Sequence, residues 1–201
     1  MQIYLIDITS ISDSDFEKCY SLCPEYRKKK IDSKLLRKDK LRSLGGEILL
    51  MHGLSRLGIT DYEIQLTENG KPYLKNAPVF FSISHSGNVV VCAFSTVETG
   101  VDVQVRKNIP FSVASRFFSE GEKEENAISI WTRKEALAKA TGLGLSREIL
   151  NTAIWGESVL FHGQLYHFKT TEYENHVLSV CSQSPISDIT IEHIYTKNGS
   201  L

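Results

Sequence analysis

Two short stretches of the 201-residue chain hold side chains whose types and spacing could do chemistry. Gly100-Val101-Asp102-Val103-Gln104 alternates polar and apolar residues, the period of a strand. Asp102 and Gln104 therefore project from one face, and Val101, Val103 and Val105 from the other. In Trp131-Thr132-Arg133-Lys134-Glu135-Ala136-Leu137-Ala138-Lys139, residues Trp131, Glu135 and Lys139 recur every fourth position, and a helix stacks them on one stripe. Facing each other, the two pieces would gather two carboxylates, an amide and a lysine. Carboxylate and amide oxygens are hard ligands suited to Mg²⁺, which keeps part of its shell for water or substrate phosphates. Lys139, one turn beyond Glu135, could neutralise charge on such a phosphate. The plain alternative is a surface Glu135–Lys139 helix pair, with Asp102 an outward polar residue on an edge strand.

A second constellation is basic. Residues 27 to 42 carry nine Lys/Arg against two Asp, on a chain whose formal net charge is only −1. Such a run is either a solvated helix face or a local anion site on a near-neutral molecule. Its Arg and Lys side chains, with Lys71 and His85, could hold a second phosphate remote from the first. Ser84-His85-Ser86-Gly87 is expected at a hairpin tip, where polar groups and free amides could meet a ligand, or else form a simple polar turn.

The elements that must position these groups follow from periodicity. Residues 2 to 8 read as a first strand, and Ser14-Asp15-Phe16-Glu17 as a capping box opening a short helix. Leu41, Leu44, Ile48 and Met51 mark the buried face of a helix from near Asp39 to Gly58. Tyr62 to Leu66 alternates as a strand before the Asn69-Gly70 turn, and Val79–Ser84 with Asn88–Ser95 makes a hairpin. The Asp102 strand follows. Helical patterns cover Phe111 to Phe118 and Glu120 to Lys139, stopping at Gly142 and Gly144. Four closing strands, Val159–His162, Leu165–Thr170, Val177–Ser182 and Ile189–Tyr195, read as an antiparallel meander. Helix followed by strands occurs twice, which points to a pseudo-duplicated α+β fold joined near residues 96 to 110.

Composition narrows the class. With 41% hydrophobic and 23% charged residues the chain is an ordinary globular protein. Cys19, Cys23, Cys92 and Cys181 are too few and scattered for a disulfide framework and are expected as buried thiols. The apolar run Val89–Phe94 is too short to span a bilayer, and strand-like residues at the N-terminus do not read as a signal peptide. Cytoplasm is the expected compartment. Nucleic-acid binding through residues 27 to 42 is disfavoured by the net charge and by the lack of interleaved aromatics.

In order, the chain contains Asn69-Gly70-Lys71-Pro72, Phe81-Ser82-Ile83-Ser84-His85-Ser86-Gly87, the Asp102 strand, and the Trp131–Lys139 stretch followed by Ala140-Thr141-Gly142-Leu143-Gly144-Leu145. Together these resemble the Sfp-type 4′-phosphopantetheinyl transferases. That family's signatures are a Gly-Lys-Pro turn, a Ser-His-Ser loop, a Gly-hydrophobic-Asp strand and a Trp-x-x-Lys-Glu-Ala-x-x-Lys helix. The resemblance implies two pseudo-symmetric α/β subdomains, residues 1–100 and 101–201, with the ligand cleft between them. It implies a Mg²⁺-dependent enzyme that moves the phosphopantetheine arm of coenzyme A to a serine of an apo acyl, aryl or peptidyl carrier protein. The products would be a holo carrier protein, serving fatty acid, polyketide or nonribosomal peptide synthesis, and adenosine 3′,5′-bisphosphate. By similarity Asp102 and Glu135 would ligate Mg²⁺, Glu135 would help deprotonate the serine, and Lys139 would stabilise the pyrophosphate. Lys71, Ser84 and His85, with Arg27, Lys30, Arg42 and Ser43, would grip the adenosine 3′-phosphate and nearby groups. A monomer acting without membrane or nucleic acid is expected.

One position departs from the pattern: Gln104 stands where the family often has Glu. An amide oxygen can ligate Mg²⁺ but brings no charge and cannot act as a base, which leaves Glu135 in that role. It also leaves open a catalytically silent module that binds coenzyme A or a carrier protein. Phe111 to Phe118 is the natural place for carrier docking, with Phe117 and Phe118 equally able to serve the core.

Overall fold

A computed structural model describes residues 1–106, 118, 122 and 126–195. The chain forms two four-stranded sheets packed face to face, each backed by helices, so the layers run helix–sheet–sheet–helix. The first sheet holds β1 (Gln2–Asp7), β4 (Phe80–Ser86), β5 (Val89–Ser95) and β10 (Thr190–His193), in the order β10-β1-β5-β4. The second holds β6 (Thr99–Val105), β7 (Ser158–Phe161), β8 (Gln164–Tyr173) and β9 (His176–Ser182), ordered β6-β9-β8-β7. A small ribbon, β2 (Ile64–Leu66) with β3 (Pro72–Leu74), lies beside the first sheet. The mixed α+β class and paired halves agree with the expectation.

Helices α1 (Asp13–Leu22), α2 (Glu25–Asp32) and α3 (Arg37–Arg56) belong to the first half; α4 (Ala127–Thr141) and α5 (Arg147–Asn151) belong to the second. Leu44, Ile48, Leu49 and Leu54 of α3 pack on Tyr4, Ile6, Val90, Cys92 and Phe94. The opposite face of that sheet, Ile3, Leu5, Val89, Val91 and Ala93, meets Val101, Val103, Leu178 and Val180 of the second. Ala136, Leu137 and Ala140 of α4 close the far side over Phe168 and Cys181. The unbroken apolar run of β5 follows: both faces of this central strand are covered, so alternation is lost.

Several sequence expectations shift. The capping box uses Ser12 and Asp15, two residues upstream of the expected pair, because Asp15 returns the bond to the Ser12 amide. The long helix runs Arg37–Arg56, and the basic segment before it forms α2, a helix the periodicity did not reveal. Ser84 and His85 are strand residues of β4, and the hairpin turn is Gly87-Asn88. Polar side chains at alternating positions imitate a loop when their partner lies elsewhere in the chain. Strands β7 to β9 do form a meander, but β10 pairs parallel with β1, so the chain returns to its first sheet. All four cysteines are free and buried, as expected. The expected 111–118 helix lies outside the described residues except for Phe118, which is buried.

Candidate functional site

The face-packed sheets close along one side, where the edge strands β4 and β6 meet, and the joint is made by side chains. Ser82, Ser84 and Ser86 alternate along one face of β4. Their hydroxyls accept from the Val101, Val103 and Val105 amides of β6 at 3.0, 3.3 and 3.0 Å. The other face of β4 carries Phe81, Ile83 and His85 toward α3. Asp102, between two amides bound in this seam, turns away from the inter-sheet core toward α4 and is only 2% exposed. The alternation expected for residues 101–105 is observed, and an outward edge-strand position for Asp102 is not.

Helix α4 reaches Asp102 because β6 has no side chain at residue 100. A Cβ there would overlap the Ala136 carbonyl oxygen and the Ala140 amide nitrogen of the crossing helix. Asn126 caps the helix start through the Ile128 amide, and Gly142, at φ 72°, ends it. Lys134 is fully buried and tethers the helix, donating to the Leu150 and Thr152 carbonyls at 2.8 and 2.6 Å and pairing with Glu122 at 2.9 Å. The lysine preceding Glu135 is thus an internal anchor, while Glu135 and Lys139 emerge on the β6 side.

Around Asp102 the bonds are dense. Lys139 Nζ donates to Asp102 Oδ1 at 2.7 Å, to Ser84 Oγ at 2.8 Å and to the Val101 carbonyl at 3.1 Å. Ser84 Oγ donates to Asp102 Oδ1 at 2.7 Å, and Gln104 Nε2 donates to Asp102 Oδ2 at 2.9 Å. Burial, then the Asp102 charge, push the Glu135 carboxyl up to about 6, with Lys139 opposing. Two carboxylates whose charges work against each other, both hard oxygen donors, fit a divalent cation. Among the described residues no group of three or more His, Cys, Asp or Glu gathers at ligand spacing. A pair suits Mg²⁺, which completes its shell from water and phosphate. In the observed rotamer Gln104 turns its nitrogen to Asp102, so the amide buttresses that carboxylate.

A groove of about 770 Å³ opens beside this cluster, between α3 and β4 on one side and the C-terminal end of α4 on the other. Arg27, Lys30, Arg42, Ser43, Lys71, His85 and Lys139 all line it. Seven expected ligand residues are therefore gathered in one place. Ser84 is not on the wall; it lies behind it, committed to Asp102 and Lys139. Several wall cations already have protein partners. Arg42 donates to the Gly87 carbonyl at 3.0 and 2.6 Å and pairs with Asp39 at 2.9 Å. Lys71 bonds Glu98 and the Ala140 carbonyl, joining the β2–β3 ribbon to the end of α4. Partial burial, then the Arg42 and Lys139 charges, hold the His85 imidazole below its usual pKa, hence neutral near pH 7.

Sequence reasoning missed Glu47. It is fully buried on α3 and pairs with Arg27 of α2, fixing that guanidinium at the groove wall. A carboxylate inside the apolar stripe Leu44–Leu50 was the available signal. Ser43 Oγ, on the wall itself, is buried with no hydrogen-bond partner.

A cation-lined groove beside paired carboxylates, set between two α/β halves, suits a phosphate-bearing ligand. Comparison with known families makes the class specific. Residues 10–97 match the family described as 4'-phosphopantetheinyl transferase, N-terminal, and residues 98–181 match the 4'-phosphopantetheinyl transferase superfamily. The chain is 32% identical to 4'-phosphopantetheinyl transferase Sfp of Bacillus subtilis (strain 168) over 162 residues, 73% of this chain and 72% of that one. It is 35% identical over 123 residues to psf-1 of Bacillus pumilus, spanning 54% and 53% of the two chains. It is 30% identical over 159 residues to AcpT of Salmonella typhimurium, spanning 72% and 77%. The chain belongs to the 4′-phosphopantetheinyl transferase superfamily.

Proposed function

We propose that this protein transfers the 4′-phosphopantetheine arm of coenzyme A to a serine of an apo acyl or peptidyl carrier protein. The observation carrying this reading is the cation-lined groove that reaches Lys139, which bonds Asp102 and lies near Glu135. Its far wall, with Arg27, Lys30 and the unpartnered Ser43 hydroxyl, suits the 3′-phosphate end of coenzyme A. Lys139 suits the pyrophosphate. Asp102 and Glu135, with Gln104 beside them, would hold Mg²⁺, which when bound supplies charge neutralisation to that pyrophosphate.

The chemistry is a displacement at the phosphorus bearing the pantetheine arm. The carrier serine oxygen forms the new P–O bond as the bridging P–O bond breaks. Glu135, ionised above about pH 6, accepts the serine proton directly or through water. The electron pair departs on adenosine 3′,5′-bisphosphate, whose new charge Lys139 faces. A single chain, acting in the cytoplasm, supplies every group named. No helix among the described residues is long and apolar enough to cross a membrane.

Incubation with coenzyme A, Mg²⁺ and an apo carrier protein tests the proposal: mass spectrometry should register one phosphopantetheine added to the carrier. Asp102→Ala and Glu135→Ala should each cut transfer by at least ~100-fold, on the scale of losing a positioned acid–base or electrostatic group. Wild-type protein inert toward several carriers would instead support a silent binding module.

A further inference from the structure

We infer that Ser84 is a positioning residue, which locks Asp102 and Lys139 into one arrangement and makes no bond to the substrate. The inference deepens the proposed transferase reading and rests on it. A serine hydroxyl has one proton to donate and two lone pairs to accept with. In Ser84 the proton goes to Asp102 Oδ1 at 2.7 Å, and the lone pairs receive Lys139 Nζ at 2.8 Å and the Val103 amide at 3.3 Å. Every valence of the group is spent on protein. The side chain is also buried, at 5% exposure, and lies off the groove wall that Ser82, Ile83 and His85 share. A phosphate could reach this hydroxyl only by breaking one of those bonds.

The geometry gives the hydroxyl a specific task. Asp102 and Lys139 are an acid and a base on different elements; beside their direct bond, Lys139 holds the Val101 carbonyl and Asp102 accepts from Gln104, but neither of those contacts touches both groups. Ser84 closes a three-membered ring of hydrogen bonds: Lys139 to Asp102, Lys139 to Ser84, and Ser84 to Asp102. Its anchor on the Val103 amide ties the ring to the β6 backbone. The remaining carboxylate oxygen, Oδ2, is thereby aimed on the Gln104 side.

Ser86 supplies the control. It forms the same seam bond, to the Val105 amide, without touching Asp102 or Lys139. Ser84→Ala, Ser84→Cys and Ser86→Ala are compared with wild type for kcat, KM for coenzyme A, and thermal midpoint. Coenzyme A affinity is also measured by calorimetry in EDTA, so that binding is read apart from turnover. Both Ser84 variants should lose roughly 10- to 100-fold in kcat, the rate equivalent of one charge-assisted hydrogen bond. Their KM and EDTA affinity should stay within about threefold, and Ser86→Ala should keep its kcat within about threefold on the same scale. Cysteine fills the site with a weak donor and serves if the alanine variant does not fold. Unchanged kcat at Ser84, equal losses at Ser84 and Ser86, or weakened coenzyme A binding with intact kcat would each overturn the inference. An inactive wild type would overturn the transferase reading itself.

Discussion

Glu135 is held in an uncomfortable state, and the discomfort has a sign. Its folded pKa, about 6, lies above the ordinary carboxylate value, so the folded protein takes up a proton more readily than the unfolded chain. Above pH 6 the ionised form opposes folding, and stability from this group rises as pH falls from about 6 toward the unfolded value. Glu135→Gln should therefore raise stability near pH 7 by about 1 kcal/mol after allowance for solvent screening, or ~3 °C in Tm. The same variant should lose transfer activity. Conversely, in metal-free buffer the wild-type Tm should gain on that of the variant as pH falls from about 7 to about 5. Calorimetry of both proteins across that range checks this; a variant Tm that drops at neutral pH, or a difference that does not change with pH, contradicts the assignment. At this scale the sequence was informative where spacing alone acts. Asp102 and Gln104 share a face because a strand alternates, and Glu135 and Lys139 share a stripe because a helix repeats. Ser84 was misplaced because its partners, at positions 102, 103 and 139, are set by tertiary contact. Neither period encodes those partners.

The elements carry the site by close approach. Helix α4 lies on β6 where residue 100 has no side chain, and its own small residues, Ala136 and Ala140, face that gap. Gly100→Ala should push the helix outward or distort β6, costing about 2–3 kcal/mol as overpacking does. It should lower kcat more than it raises KM for coenzyme A, since Lys139 and Glu135 move while most of the groove wall does not. Denaturant unfolding with steady-state kinetics checks this; wild-type stability in that variant would show that the helix has room to spare. The long α3 was legible from its apolar stripe, and so was the site helix from its motif. Helix α2 was hidden by its composition: Arg27 to Lys30 supply charge at every turn, so only Ile31 marks a buried face. The hairpin strand expected over Val79–Ser84 is present, and its serines hid only the last two residues, His85 and Ser86, since the bonds of those serines go to amides of a strand not yet reached in the chain.

The whole molecule is more interdependent than its two matched family segments suggest. Ile3, Leu5, Val89 and Val91 share one buried cluster with Val101, Val103, Leu178 and Val180 of the other sheet. Strand β10, from residues 190–193, completes the first sheet beside β1, and the Met1 amino group bonds the Asp188 carbonyl at 2.7 Å. A fragment of residues 1–97 would keep its helices but expose that inner face and lose an edge strand. It should fail to unfold cooperatively and should bind hydrophobic dye. A sharp, reversible melting transition in the fragment would show the halves to be independent. The parallel return of β10 could not be read from sequence, because the last strands alternate alike whichever sheet they join.

The row of hydroxyls between β4 and β6 has one more consequence. Amides along the rim of a sheet are an open invitation to strands from neighbouring molecules, and many proteins repel such visitors with charge or proline. Here Ser82, Ser84 and Ser86 occupy the three inviting amides of β6 internally. The hydroxyls that join the halves also guard the protein against self-association, so erasing all three would be felt first as precipitation during refolding.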